Sequence, residues 1–450
     1  MGAMFEAPTM LESGRAMTDR DDGMTSPARA AQLDRSLETL LVVLAFSLPL
    51  YRQWVSLAAP LFMIVWLARG DLRQRIEPLR RHLPTQAVVL FIGLGLVSLL
   101  WSSHPLEGLE YLDKYRYLLL IPMAAVTVTE DGRTRILRWF LLGATAATGL
   151  SWLAVAGFIR TRSAGPDNPA VTMSHLDLSM VLAVAALIAL DEVARSASWR
   201  HRLVATGAVV WIASGLAINI GRSGQLAFVG AASVWAGTWM ARRSRRAAVA
   251  AIVLVWCTLG LVYASVPRVR ERVGDAVAEI RAAVDHDRYA TNQGMRVAGM
   301  IVSWDLVRDR PWFGSGVGDT LYDFATVLDE RHPKLAPVLD QFRHQHLHNQ
   351  YLQIAVELGF AGLATLLALL VSLVVHRPRR AADRALLAGL SVAFALGFLG
   401  DPFLRKQMPL ATFALVAGVL TAVTNRDEEQ SPRSQSESAS RPKPASTSRR

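Results

Sequence analysis

Apolar residues along this chain gather in runs of roughly fifteen to twenty-five, separated by short polar stretches. Wound as a helix at about 1.5 Å per residue, twenty residues cover the roughly 30 Å hydrocarbon thickness of a bilayer. Twelve such runs are read, at 36–50, 54–69, 84–101, 114–128, 136–159, 173–191, 203–219, 223–241, 247–265, 349–374, 385–400 and 407–424. The first, fourth and eleventh are short or weakly apolar. The pattern predicts an all-α polytopic membrane protein with about twelve transmembrane helices.

Between the ninth and tenth runs lies one long polar stretch, residues 266–345, with 11 Lys/Arg and 12 Asp/Glu. It reads as a near-neutral, helical loop. Val269, Val273, Val277, Ile280 and Val284 recur at spacings of three and four, as on one face of a helix. Val297, Met300, Ile301 and Trp304 repeat the pattern, and that second helix should end before Pro311. Both helices read as amphipathic, suited to lie on the membrane or to cap the bundle. Residues 1–35 have no apolar core, which excludes a signal peptide, and read as a disordered cytoplasmic tail. Residues 426–450 are low-complexity and read the same way. The expected organisation is therefore tail 1–35, spans one to nine over 36–265, loop domain 266–348, spans ten to twelve over 349–425, and tail 426–450.

Charge sets the orientation. With both termini in the cytoplasm, the five short inner loops hold 19 Lys/Arg and the five short outer loops hold 8. Basic residues are retained on the cytoplasmic side, so this orientation is favoured and the long loop lies outside. Composition agrees: 52% of residues are hydrophobic, only 19% are charged, and the mean hydropathy is +0.27. The net charge of +11 does not point to nucleic acid. Arg supplies 44 of the 48 basic residues, they sit mainly in short loops, and no basic stripe is interleaved with aromatics. The single cysteine, Cys257, rules out an intrachain disulfide and a cysteine-based metal site.

The outer ends of the runs carry the candidate chemistry. Arg222 sits in a tight junction, Ile218-Asn219-Ile220-Gly221-Arg222-Ser223-Gly224, where Gly221 and Gly224 allow another group to approach the backbone closely. It is either a snorkelling anchor or a cation held inward. Arg296 is either a solvated helix charge or a second such cation. His344, His346 and His348 fall within five residues at the outer start of run ten. They fit a metal site, a polar helix start, or a general base, since an imidazole titrates near neutral pH. Gly314, Gly316 and Gly318 lack the Lys-Ser/Thr of a phosphate loop and read as a turn. Glu357 lies inside run ten and needs a partner. Asp401-Pro402 and Arg405-Lys406 mark another outer loop that could face the same cavity.

His348-Asn349-Gln350-Tyr351-Leu352, followed by Glu357-Leu358-Gly359 and Gly362-Leu363, resembles the signature of the O-antigen ligase and O-antigen polymerase superfamily. So does the upstream pairing of Arg296 and Trp304 with Arg310-Pro311-Trp312-Phe313-Gly314-Ser315-Gly316. The order of many spans, an outer Arg, a large loop, a His-Asn motif and final spans also matches. The resemblance covers roughly 200–425. It implies a GT-C-like glycosyltransferase of the bacterial inner membrane with its site facing the periplasm. The donor would be undecaprenyl-diphosphate-linked O-antigen and the acceptor lipid A-core, with no metal or other cofactor. His348, Arg222 and Arg296 would be catalytic. His346, His344, Asn349, Asp401 and Arg405 would bind substrate, as would the two arginines. One large loop favours ligase over polymerase. A transporter would instead show repeated halves and charges near the bilayer centre.

Overall fold

In a computed structural model, residues 27–161, 163–265, 267–340 and 346–423 are described. Among them the chain is all-helical, without strands. The first third comprises α1 (Pro27–Ser47), α2 (Arg52–Ala68), α3 (Leu72–Ile76), α4 (Leu83–Ser98), α5 (Pro105–Lys114), α6 (Leu120–Ala125) and α7 (Glu130–Val155). The central bundle adds α8 (His175–Arg195), α9 (Trp199–Ile218), α10 (Arg222–Ala241) and α11 (Arg245–Ser265). The long loop folds as α12 (Pro267–His286), α13 (Asn292–Asp309), α14 (Thr320–Arg331) and α15 (Ala336–Leu339). The chain ends with α16 (Gln350–Val375), α17 (Asp383–Gly397) and α18 (Gln407–Leu420).

Among the described residues, helices α7, α9, α11 and α16 are long and apolar enough to cross a membrane; α2 and the segment that follows it, bent by 117°, form either a broken span or a re-entrant loop. Helix α11 presents Val249, Val253, Leu254, Trp256 and Leu261 outward, a surface that suits lipid and not water. Helix α8 is the opposite case. Its residues from Leu178 to Ala189 are all buried, enclosed by α9, α10, α17 and α18. At the expected cytoplasmic end, Asp383 accepts from Arg133 (2.5 and 2.9 Å) and from Arg195 (3.0 Å), while Asp191 accepts from Arg195 and from the Trp235 indole. Those pairs tie α7, α8, α10 and α17 together.

Three expectations change. The fourth run, 114–128, is not one helix: a 3-10 turn over Tyr115–Leu119 precedes the six-residue α6. At about 2.0 and 1.5 Å per residue these rise only about 19 Å, too short to cross alone. Residues 27–35, expected within an irregular tail, belong to α1; residues 1–26 and 424–450 lie outside the described residues. The register of α13 also differs. Its buried face is Ala298, Val302, Ser303, Leu306 and Val307, not the stripe of Met300, Ile301 and Trp304, which stays exposed.

The buried face of α13 joins Phe324, Val327, Leu328 and Leu339 in a second, smaller core that rests on Ala355 and Val356 of α16. The long loop is thus a small helical unit seated on the first turns of α16, a helix long and apolar enough to cross a membrane. Asp319 fastens it further. Its carboxylate accepts from the Ser103 and His104 backbone N–H (2.8 and 2.9 Å) and from the Ser102 hydroxyl. By contrast, α12 leaves Val273, Val277, Ile280 and Val284 exposed.

Candidate functional site

A cavity of about 960 Å³ opens where the outer unit meets the bundle. Arg222, Arg296 and His348 all line it, although they come from α10, α13 and the turn before α16. Local backbone explains each position. Gly221 and Gly224 lie so close to Ser179 of α8 that a Cβ at either would collide with it, which draws the start of α10 against α8. Asn219 accepts from Gly221 N–H at 2.7 Å and shapes the turn. Thr291 caps α13 by accepting from Gly294 N–H at 3.0 Å, two residues before Arg296. Asn349 caps α16, its side-chain oxygen accepting from the Tyr351 and Leu352 N–H at 2.9 and 3.1 Å.

Four helices therefore begin at this cavity: α8 with His175, α10 with Arg222, α13 with Asn292 and Gln293, and α16 just after His348. Helix N-termini carry partial positive charge and unsatisfied N–H groups, which favours an anion. Of the four, α10 has no side-chain cap, so its first N–H groups are available. Arg222 and Arg296 add two full charges. Among the described residues, neither has a carboxylate within ion-pair distance; Arg296 donates instead to the Gly400 carbonyl at 3.1 Å. Burial pulls the Arg296 guanidinium below its usual value; Asp401 opposes that and Arg222 adds to it.

His348 has a left-handed backbone, φ 51°, a strained conformation of the kind found at working residues. Its Nδ1 lies 3.1 Å from Asp401 Oδ1, and Asp401 is fully buried. The tautomer that donates from Nδ1 makes Nε2 the basic nitrogen. The other oxygen of Asp401 meets the Lys406 ammonium, which also lies 3.6 Å from Asp177. Burial pushes the Asp401 carboxyl up, but the His348 hydrogen bond, Lys406 and His346 outweigh it and hold the carboxyl below its usual value. His346 packs edge-on to His348 with ring centres 4.9 Å apart, and burial drives its imidazole down to about 4, so it is neutral at ambient pH. His346, His348 and Asp401 could each offer a metal one atom within 4.8 Å of the others. The Lys406 ammonium already supplies a cation to that group, so we assign it no metal.

Two sequence-read binding residues do other work. Asn349 is consumed by its cap, and Arg405 is turned away from the cavity. Arg405 is ion-paired with Glu357, both side chains being almost wholly buried, and its guanidinium lies 4.0 Å from the Tyr111 ring centre. Glu357 thereby has the partner it needed. His344 lies outside the described residues. Sequence reading missed His175 as a cavity residue, although a histidine behind the capping Ser174 at an outer helix start was the available signal. It placed Lys406 in a loop that could face the cavity but gave it no role. Nothing local marked Glu279, Asn292 or Gln293, which form a polar rim.

The cavity thus gathers two arginines, four helix starts and a carboxylate-held histidine at one end of a helical bundle that carries candidate membrane spans. Residues 207–367 match the family model described as O-antigen ligase. The match spans Arg222, Arg296 and His348. No curated protein matches the chain.

Proposed function

We propose that this protein transfers a glycan from undecaprenyl diphosphate to a sugar hydroxyl of lipid A-core, at the periplasmic face of the inner membrane. The observation that carries this reading is the meeting of Arg222 and Arg296, unpaired by any described carboxylate, with the Asp401-held His348 in one cavity. The cavity's other walls fit the same substrate. Leu226, Leu396 and Leu399 offer an apolar side for a polyprenyl tail, and the rim of Glu279, Asn292 and Gln293 offers hydroxyl partners for sugars.

In the transfer, the acceptor oxygen attacks the anomeric carbon of the donor and its proton passes to His348 Nε2. The bond from that carbon to the diphosphate oxygen breaks, and both bonding electrons leave with the diphosphate. Arg222, Arg296 and the open start of α10 stabilise the charge that gathers there, each as a preplaced donor. Guanidinium suits this better than ammonium because its planar fork takes phosphate oxygens in pairs. One displacement inverts the anomeric centre. Asp401 stabilises the imidazolium while the proton resides on His348.

The test is transfer by purified, reconstituted protein, with chelator present, from carrier-linked glycan to lipid A-core. Product on lipid A-core supports a metal-independent ligase. Longer carrier-linked chains alone would make it a polymerase of the same family. Arg222→Lys should fold normally and still lose most of its rate, whereas His348→Ala with full activity would remove the base assignment.

A further inference from the structure

We infer that the segment after α13, residues 310–318, is a wedge set into the outer leaflet, with Trp312 and Phe313 facing lipid acyl chains. Helix α16 gives the depth. Its inner end at Val375 is followed at once by His376 and Arg377, which mark the inner boundary. Twenty residues back, about 30 Å at 1.5 Å per residue, is Ala355. Gly359 and Phe360 therefore lie about 6 Å inside the hydrocarbon.

At that depth α16 breaks. Gly359 has φ 63° and ψ −158°, outside any helix. A break in lipid would strand backbone groups that nothing there can satisfy, so it requires cover by protein. The wedge supplies it. Phe360 N–H donates to the Pro311 carbonyl at 2.8 Å and Ala361 N–H to that of Trp312 at 3.1 Å. In return, the Ser315 and Gly316 N–H donate to the Val356 and Glu357 carbonyls, each at 2.9 Å. A Cβ on Gly359 or Gly314 would collide with the opposing backbone.

This pairing fixes the wedge at the level of the break, yet its large side chains have little protein around them. Trp312 is 69% exposed and Phe313 59%. Trp312 meets Phe360 edge-on at 5.9 Å, and Phe313 meets Trp101 at 6.3 Å. The aromatic surface continues into exposed Leu367 and Val371 farther down α16, a face already turned to the bilayer. Lipid is the occupant this continuity selects, and aromatic rings favour the interface. The wedge also moors the far end of α13, whose near end holds Arg296 at the cavity.

The experiment does not depend on the transfer reaction. In a Cys257→Ser background, a nitroxide is placed through Phe313→Cys or Trp312→Cys in the full chain reconstituted in liposomes. Collision with oxygen, which concentrates in lipid, is compared with collision with a water-soluble nickel chelate. Val371→Cys is the lipid control and Lys334→Cys, exposed on the outer unit, the water control. The expected oxygen-to-nickel ratio at 313 equals that at 371 and exceeds that at 334 several-fold. A ratio at 313 equal to that at 334 overturns the proposal. Should either wedge variant misfold, Phe360→Cys reads the same depth, with the same two outcomes.

Discussion

Removing Glu357 tests whether Arg405 belongs to the framework or to the substrate. The Glu357 carboxylate takes the Arg405 guanidinium, the Gln353 amide at 2.7 Å and the Thr320 hydroxyl at 3.3 Å, all away from solvent. Glu357→Ala leaves Arg405 charged and unpaired in a space that excludes water. Loss of one partner from a buried pair costs about 3–5 kcal/mol, since the remaining charge keeps its desolvation penalty and loses its attraction. At about 1.4 kcal/mol per tenfold, that shifts the unfolding equilibrium by two to three and a half powers of ten. Arg405→Met should be far milder, because a carboxyl left behind can neutralise itself by taking a proton. The double variant Glu357→Leu/Arg405→Met should approach the parent, since well-packed apolar replacements of a buried pair are often neutral. Denaturant unfolding in micelles, run on all four proteins beside the transfer assay, gives the coupling. Arg405→Met with parental stability and no transfer would refute the argument, because Arg405 would then act on substrate. A loss below about 1 kcal/mol for Glu357→Ala, the range of a solvent-exposed pair, would show that the pair is not desolvated.

Two further outcomes separate positioning from binding. Lys406→Met removes one of the groups that hold the Asp401 carboxyl down, so burial raises it; the carboxylate is then lost at a higher pH, and the acid limb of the transfer profile should move up while the neutral plateau stays. An unshifted limb would show that Lys406 does not act through Asp401. Asn349→Ala should cost about 1 kcal/mol of stability through the lost cap, and Asn349→Asp, which still caps, should recover it with transfer intact; transfer lost in a stably folded Asn349→Asp would return Asn349 to the substrate.

How much could be read in advance depended on how far apart the interacting residues stand. Hydropathy and helical period are local, and they located the apolar helices and the two amphipathic helices of the outer loop. They did not show the second face of α13, the one that packs against protein while the apolar stripe stays exposed. The buried face there mixes Ala298 and Ser303 with Val302, Leu306 and Val307 against α14 and α16, and the small residues interrupt the apolar pattern. They failed again at 114–128, where a run already short or weak as a span bends into a 3-10 turn packed against α18.

The site divides along the same line. Arg222 and His348 stood out as polar groups at the ends of apolar runs, Arg296 was singled out by the family resemblance, and the fold brings all three to one cavity. Arg405 met the same criterion, yet it is held in a buried ion pair. What distinguishes it is Glu357, 48 residues away and reached across a helix broken at Gly359. Both halves of that pair stood in the sequence as separate anomalies: an acid within an apolar run, and a base in a short loop. An acid inside a membrane helix must be neutralised, and the nearest available cation will be drawn to it before any substrate arrives. Once Glu357 has taken Arg405, and Asp401 has taken Lys406, Arg222 and Arg296 are the outer cations at the cavity without a described carboxylate. The proposed diphosphate site rests on that remainder and not on basicity as such.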